Sequence, residues 1–234
     1  MPQHIGIVAC SSEGAALCYR TICHEGEKRL GKYAHPEVSM HTFPLSEYMS
    51  FIRVGDWDGV AQLMLRSAQK VAKCGADFII CPDNTIHEAY DLVAPKSDLP
   101  WLHIAAAVGE EAQRQGFRRL GILGTRYLME GPVYPAMLDR LGIAYLFPDP
   151  EEREQISDII FEELVEGLFT VTARDYISRV INKLEKRDCD AVVLGCTEIP
   201  LIIQEEDSLL PILDSTRILA LVALQRAVES EPEK

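Results

Sequence analysis

The chain has 234 residues, 47% of them hydrophobic and 25% charged, with a formal net charge of −13. This composition excludes a disordered chain, and no apolar run approaches the ~20 residues that a membrane span needs. With 23 basic residues against 36 acidic ones, a phosphate-binding nucleic-acid surface is excluded as well. Met1-Pro2-Gln3-His4 lacks the basic stretch of a secretory leader, and Ser11, Ser12 and Glu13 interrupt the apolar run that follows, so a cytoplasmic location is expected. The seven cysteines are odd in number and show no C-x-x-C pair, which predicts reduced thiols and no metal site. Cys18, Cys23, Cys74, Cys81 and Cys189 read as small packing residues.

In chain order, residues 5–9 form an apolar run that reads as a strand buried on both faces and opens onto Cys10, Ser11 and Ser12. A second strand is expected over 38–43 and a helix over 57–74. Strand 78–81 then runs into Pro82-Asp83-Asn84-Thr85. Helical spacing returns at 105–116, strand 120–124 ends at Thr125, and 144–147 reads as another strand. Helices over 155–167 and 173–187 precede strand 191–194, which ends in Gly195-Cys196-Thr197-Glu198. A last helix over 215–229 is expected to return to the first lobe, and only the tail from Glu229 to Lys234 reads as disordered. Strands alternating with helices predict parallel sheets flanked by helices.

The chain also repeats itself. The segment 5–10 resembles 120–125, 70–85 resembles 183–198, and 99–104 resembles 210–215, in the same order and at offsets near 111 to 115. The expected fold is therefore α/β with two pseudo-symmetric lobes, 1–103 plus 213–234 and 104–212. Hinges are placed near 101–105 and 210–216 and an active site in the cleft between the lobes. Superposing the halves pairs Asp83 with Cys196, Asn84 with Thr197 and Cys10 with Thr125.

Open parallel sheets bind ligands beyond the carboxyl ends of their strands. Opposed Asp83 and Cys196 suit inversion of a stereocentre beside a carboxylate, which needs one group to remove a proton and another to return one on the opposite face. A helix start after Cys196 is expected to favour its thiolate. Backbone N–H groups with Ser11, Ser12, Asn84, Thr85, Thr125 and Thr197 are placed to hold a substrate carboxylate. Asp83 has a second reading, as a helix cap. His87 either orients Asp83 or the substrate or is packed structurally; Cys10, Glu198 and Asp214 are candidate supporting groups. Neither G-x-x-x-x-G-K-S/T nor G-x-G-x-x-G occurs, so no nucleotide cofactor is expected.

Gly195-Cys196-Thr197-Glu198-Ile199, Asp83-Asn84-Thr85-Ile86-His87 and Gly124-Thr125-Arg126-Tyr127 resemble the motifs of the aspartate/glutamate racemase family, together with Pro148, Arg153 and the run 159–164. The resemblance implies two α/β lobes, no cofactor, a homodimer, and catalysis by a cysteine from each lobe on an acidic amino acid or related small carboxylate. It departs from the family where Cys-Asn-Thr is usual and Asp83-Asn84-Thr85 stands. It departs again in the first loop, and at Pro44-Leu45-Ser46-Glu47-Tyr48, where some relatives carry an Arg. Alternatives within the resemblance are a single-cysteine decarboxylase or isomerase, and a carboxylate-binding paralogue without activity.

Overall fold

The structure, a computed structural model, describes residues 2–229. The chain divides into two compact units, Met1–Ile104 with Thr216–Lys234, and Ala105–Ser215.

In the first unit β1 (Ile5–Ala9) is buried along its whole length. It lies between β2 (Val38–Thr42) and β3 (Phe78–Ile80), both parallel to it. An uninterrupted apolar strand is what a sheet covered on both faces requires, whereas β2 at the edge is only partly buried. Ser11 accepts from the Gly14 N–H and starts α1 (Ser12–Leu30), which ends at Gly31, where φ is 103°. Few residues other than glycine tolerate that backbone conformation. After β2 come α2 (Leu45–Ile52) and α3 (Trp57–Lys73). Asp56 caps α3 by accepting from the Gly59 N–H at 2.9 Å. Val60, Leu63, Met64, Ser67 and Val71 recur at helical spacing as its buried stripe. The segment after β3 is a 3₁₀ turn, Thr85–Ala89, followed by the single-turn α4 (Tyr90–Val93).

The second unit opens with α5 (Ile104–Gln115), whose first residue belongs to the first unit. Its sheet has the order β5-β4-β6-β7, all parallel, from β4 (Arg119–Leu123), β5 (Ala144–Leu146), β6 (Ala191–Leu194) and β7 (Ile212–Asp214). Between β4 and β5 lie α6 (Arg126–Glu130) and α7 (Val133–Leu141); between β5 and β6 lie α8 (Pro150–Asp158), a π-helix over Ile159–Leu164, and α9 (Val171–Glu185). The helix expected over 155–167 thus starts earlier. Pro150 at its first position and the Asp149–Glu152 capping box set that start. The last helix, α10 (Ser215–Glu229), returns to the first unit: Ala227 accepts from the Gln3 N–H at 2.8 Å, and Arg226 lies over the Phe78 ring.

Three expectations change. Within the segment 210–216, where a hinge is expected, Ile212–Asp214 pair with Val192–Leu194 as β7, and the boundary expected at 213 falls inside that strand. Cys74 is exposed at the end of α3 rather than packed. Glu229, placed in a disordered tail, is the last residue of α10; the rest of that tail, 230–234, lies outside the described residues.

The repeat is visible bond by bond. Ile5 pairs with Phe78 as Leu120 pairs with Ala191, and Gly6 with Ile79 as Gly121 with Val192. The Asp77 carboxylate accepts from the His4 N–H at 2.7 Å, and the Asp190 carboxylate from the Arg118 and Arg119 N–H groups at 2.7 and 3.0 Å. Ser97 closes a turn on Leu99, and Ser208 closes the same turn on Leu210. Pro100 then accepts from the Ile79 N–H and Pro211 from the Val192 N–H, each at 2.9 Å. Trp101 makes only an isolated parallel bridge to Ile79 where the second unit has the full strand β7. Among the described residues no helix is long and apolar enough to cross a membrane.

Candidate active site

Cys196 follows β6 directly after Gly195, and the backbone there has little room. A Cβ on Gly195 would lie 2.7 Å from the Leu123 carbonyl oxygen, and a Cβ on Gly124 would lie 3.1 Å from the Gly195 carbonyl oxygen. Two glycines therefore let the ends of β4 and β6 close together, with the Gly195 N–H donating to Leu123 at 2.7 Å. The residues that follow them are Thr125 and Cys196. Thr125 is buried and caps α6 by accepting from the Leu128 N–H at 3.3 Å.

The Cys196 thiol is 8% exposed and donates to Glu198 Oε2 at 2.9 Å. Thr197 donates its hydroxyl to the same oxygen at 2.7 Å. Glu198 and Thr197 are both buried. The expected helix start does not materialise: Ile199–Leu201 form a 3₁₀ turn of three residues. So short a turn has no macrodipole to speak of, and the local charge that Cys196 meets is a carboxylate.

Behind this loop Ser215 donates to the Leu194 carbonyl at 2.8 Å and is hydrogen-bonded to Tyr134. Burial pushes the Tyr134 hydroxyl above the usual phenol range, with Asp214 adding to the shift. Tyr134 and Ser215 thus fix the strand end that presents Cys196. Sequence reasoning missed both, since one buried tyrosine and one serine leave no periodic trace.

In the first unit Asp83 is half-buried and its Oδ1 accepts from the Ile86 N–H at 3.1 Å, as the capping reading expects. Asn84 is buried and Thr85 half-buried. His87 donates from Nδ1 to the Asp83 carbonyl at 2.6 Å and accepts the Ile104 N–H on Nε2 at 3.2 Å, which fixes its tautomer. Burial, with His103 stacked edge-on at 4.8 Å, pushes the His87 imidazole down to about 3. His87 therefore clamps the Asp83 backbone to the start of α5 as a neutral group and leaves the Asp83 carboxyl to other partners.

Cys10 is buried at the end of β1. Ser11 is half-buried and committed as the cap of α1, and Ser12 is exposed as its first residue. By strand register Thr125 corresponds to Cys10, but by cap role it corresponds to Ser11, because the cap of α1 stands two residues after Ala9 and the cap of α6 one residue after the register-equivalent Gly124. Near this loop stands Tyr48 of α2, wholly buried. Burial and then the Cys81, Cys10 and Asp83 groups push its hydroxyl far above the phenol range. Cys81 itself is fully buried, which raises its thiol well above the usual value, as befits a packing residue. Among the described residues no cluster of His, Cys, Asp and Glu is arranged to hold a metal ion.

The chain is similar to known proteins. The chain is 22% identical over 189 residues to the broad specificity amino-acid racemase RacX of Bacillus subtilis, a match covering 80% of this chain and 79% of that protein. It is 30% identical over 187 residues to the glutamate racemase of Thermus thermophilus, covering 78% of this chain and 64% of the relative. A crystal structure of a candidate Asp/Glu racemase from Yersinia pestis superposes with a TM-score of 0.88 at 34% identity, over 97% of this chain and 99% of that one. The family model for Asp/Glu/Hydantoin racemases matches residues 7–223. Its span begins within β1 and takes in the loops after β3 and β6, and the chain belongs to the Asp/Glu/Hydantoin racemase family.

Proposed function

We propose that the protein is a cofactor-independent racemase or epimerase of an acidic amino acid, aspartate or glutamate, or of a related small carboxylate. The observation that carries this reading is the Cys196 thiol held at 2.9 Å from Glu198 in the loop after β6, while Asp83 occupies the register-equivalent loop after β3. Glu198 takes the thiol proton, the thiolate removes the α-proton from one face of the substrate, and the acid–base group at Asp83 returns a proton on the other. Asn84, Thr85 and Thr125, with Ser11 and Ser12, supply neutral hydroxyl and amide groups that hold the substrate carboxylate without adding negative charge, and Thr197, whose hydroxyl donates to Glu198, contributes its backbone N–H. A homodimer belongs to the same reading and is checked by sedimentation velocity.

The test is incubation with each enantiomer of aspartate and glutamate in deuterated water. The wild type is expected to incorporate α-deuterium and interconvert the enantiomers. Cys196→Ser should lower both rates by about 10²–10⁴-fold. Asp83→Asn should abolish interconversion while leaving exchange of the enantiomer served by Cys196. No exchange for any of the four substrates removes the amino-acid reading. Release of carbon dioxide from a malonate would then assign the single-thiol decarboxylase chemistry, and tight carboxylate binding insensitive to Cys196→Ser would assign a binding role.

A further inference from the structure

The first unit carries a thiol that this scheme does not yet use. β1 and β3 are neighbouring parallel strands whose last paired residues are Ile7 and Ile80. Three residues beyond each stand Cys10 and Asp83, on chain segments that leave the sheet about 4.8 Å apart. Tyr48 closes on the same place from α2. It is wholly buried, its hydroxyl has no hydrogen-bond partner among the described residues, and it interacts electrostatically with both Cys10 and Asp83. A buried hydroxyl left unmatched by protein marks a position that a ligand or its water completes. In the second unit the thiol and the carboxylate are Cys196 and Glu198, both from the loop after β6. In the first unit the same two chemical groups come from two adjacent strand ends.

We propose, resting on the racemase reading above, that Cys10 is a catalytic residue. Its thiol exchanges the substrate proton on the first-unit side, Asp83 takes and returns the thiol proton, and the Tyr48 hydroxyl donates to that pair or to the substrate beside it. The proposed cycle starts from Asp83 as a carboxylate and Cys10 as a thiol. The thiol proton passes to Asp83, the resulting thiolate forms a bond to the α-hydrogen, and the C–H electron pair stays on the substrate as an enediolate. Reversal of these steps delivers a proton from sulfur to carbon and regenerates the carboxylate. The charge of the pair is unchanged by the internal transfer, so no extra negative charge is created beside an anionic substrate. Chemistry favours the thiol for the carbon-facing role, since a thiolate, with an ordinary thiol value near ~8.5, is a far stronger base than a carboxylate near ~3.9.

Cys10→Ser, Cys10→Thr and the wild type are compared by nuclear magnetic resonance in deuterated water, scoring α-deuterium incorporation separately from enantiomer interconversion. Thermal melting serves as the check of folding. Threonine is the residue at the register-equivalent Thr125, which makes the second variant a sound replacement should serine perturb the loop. The expected result is interconversion lowered by about 10²-fold or more, with one enantiomer still exchanging through Cys196 within a few-fold of wild type. Interconversion within threefold of wild type in either folded variant overturns the role of Cys10 and leaves the racemase reading standing. Equal loss of exchange from both enantiomers assigns Cys10 a structural role and also overturns it. Absence of exchange in the wild type removes the reading on which the inference rests, and the inference with it.

Discussion

Glu198 Oε2 accepts from two neighbours at once, the Cys196 thiol at 2.9 Å and the Thr197 hydroxyl at 2.7 Å. A negative charge so close opposes the thiolate. Glu198→Gln keeps the shape and removes the charge, so alkylation of Cys196 by iodoacetamide at neutral pH should speed up by about tenfold, followed by mass spectrometry of the Cys196 peptide. His87 gives a different readout. Its imidazole is held down to about 3 in the fold, whereas an unfolded histidine titrates near ~6.5. Between those values the unfolded chain binds the extra proton, so the contribution of His87 is complete above ~6.5 and is lost as pH falls toward 3, by at most about 1.4 kcal/mol per pH unit. Urea melts across that window should show a shallower pH dependence in His87→Gln. Cys196 and Asp83 were legible because each ends a buried strand at the same point of a repeat. Tyr48 was visible only as an absence of arginine, since nothing in its spacing tells that its hydroxyl is buried without a hydrogen-bond partner among the described residues.

Among the elements, the buried strands were the easiest to read, because a parallel sheet covered on both faces demands continuous apolar runs such as 5–9 and 191–194. The turns after β3 and β6 were harder. Polar residues at a strand end suit an α-helix cap and a 3₁₀ turn equally, and here the 3₁₀ form occurs at Thr85–Ala89 and Ile199–Leu201. The repeated glycine of the central strands carries an element-level prediction. A Cβ on Gly6 would sit 2.9 Å from Ala76 Cβ and Val71 Cγ2, and one on Gly121 would sit 2.8 Å from Leu184 Cδ1. Val71 and Leu184 are themselves repeat partners on α3 and α9. Ala76 Cβ has no freedom to move aside, while the Leu184 methyl can rotate. Gly6→Ala should therefore destabilise by about 1–3 kcal/mol and Gly121→Ala by less, as read from denaturant midpoints.

For the whole molecule, the chain order does not follow the units. The first unit is completed only by α10, whose Leu219, Ala220, Ala223, Leu224 and Ala227 are fully buried. Sequence reasoning expected that return because the last helical segment follows the second copy of the Leu-Pro step. It placed the crossing slightly early, since the short segment Ile212–Asp214 does not announce a strand. A chain truncated after Ser215 should leave the first unit unfinished. Limited proteolysis is expected to cut within residues 2–104 well before it cuts within 105–215, whereas the intact chain should resist in both.

The single-residue difference between the two strand-to-helix loops carries a last consequence. Ser11 and Thr125 do the same work at the start of their helices, and Ala9 and Gly124 stand at the same step of their strands, so Cys10 is the one residue that the first loop has beyond the second. A substitution there changes neither the last residue of β1 nor the cap of α1. Altering the group proposed at Cys10 thus leaves the architecture that displays it in place, whereas the second half has no residue between Gly124 and its cap at which to do the same.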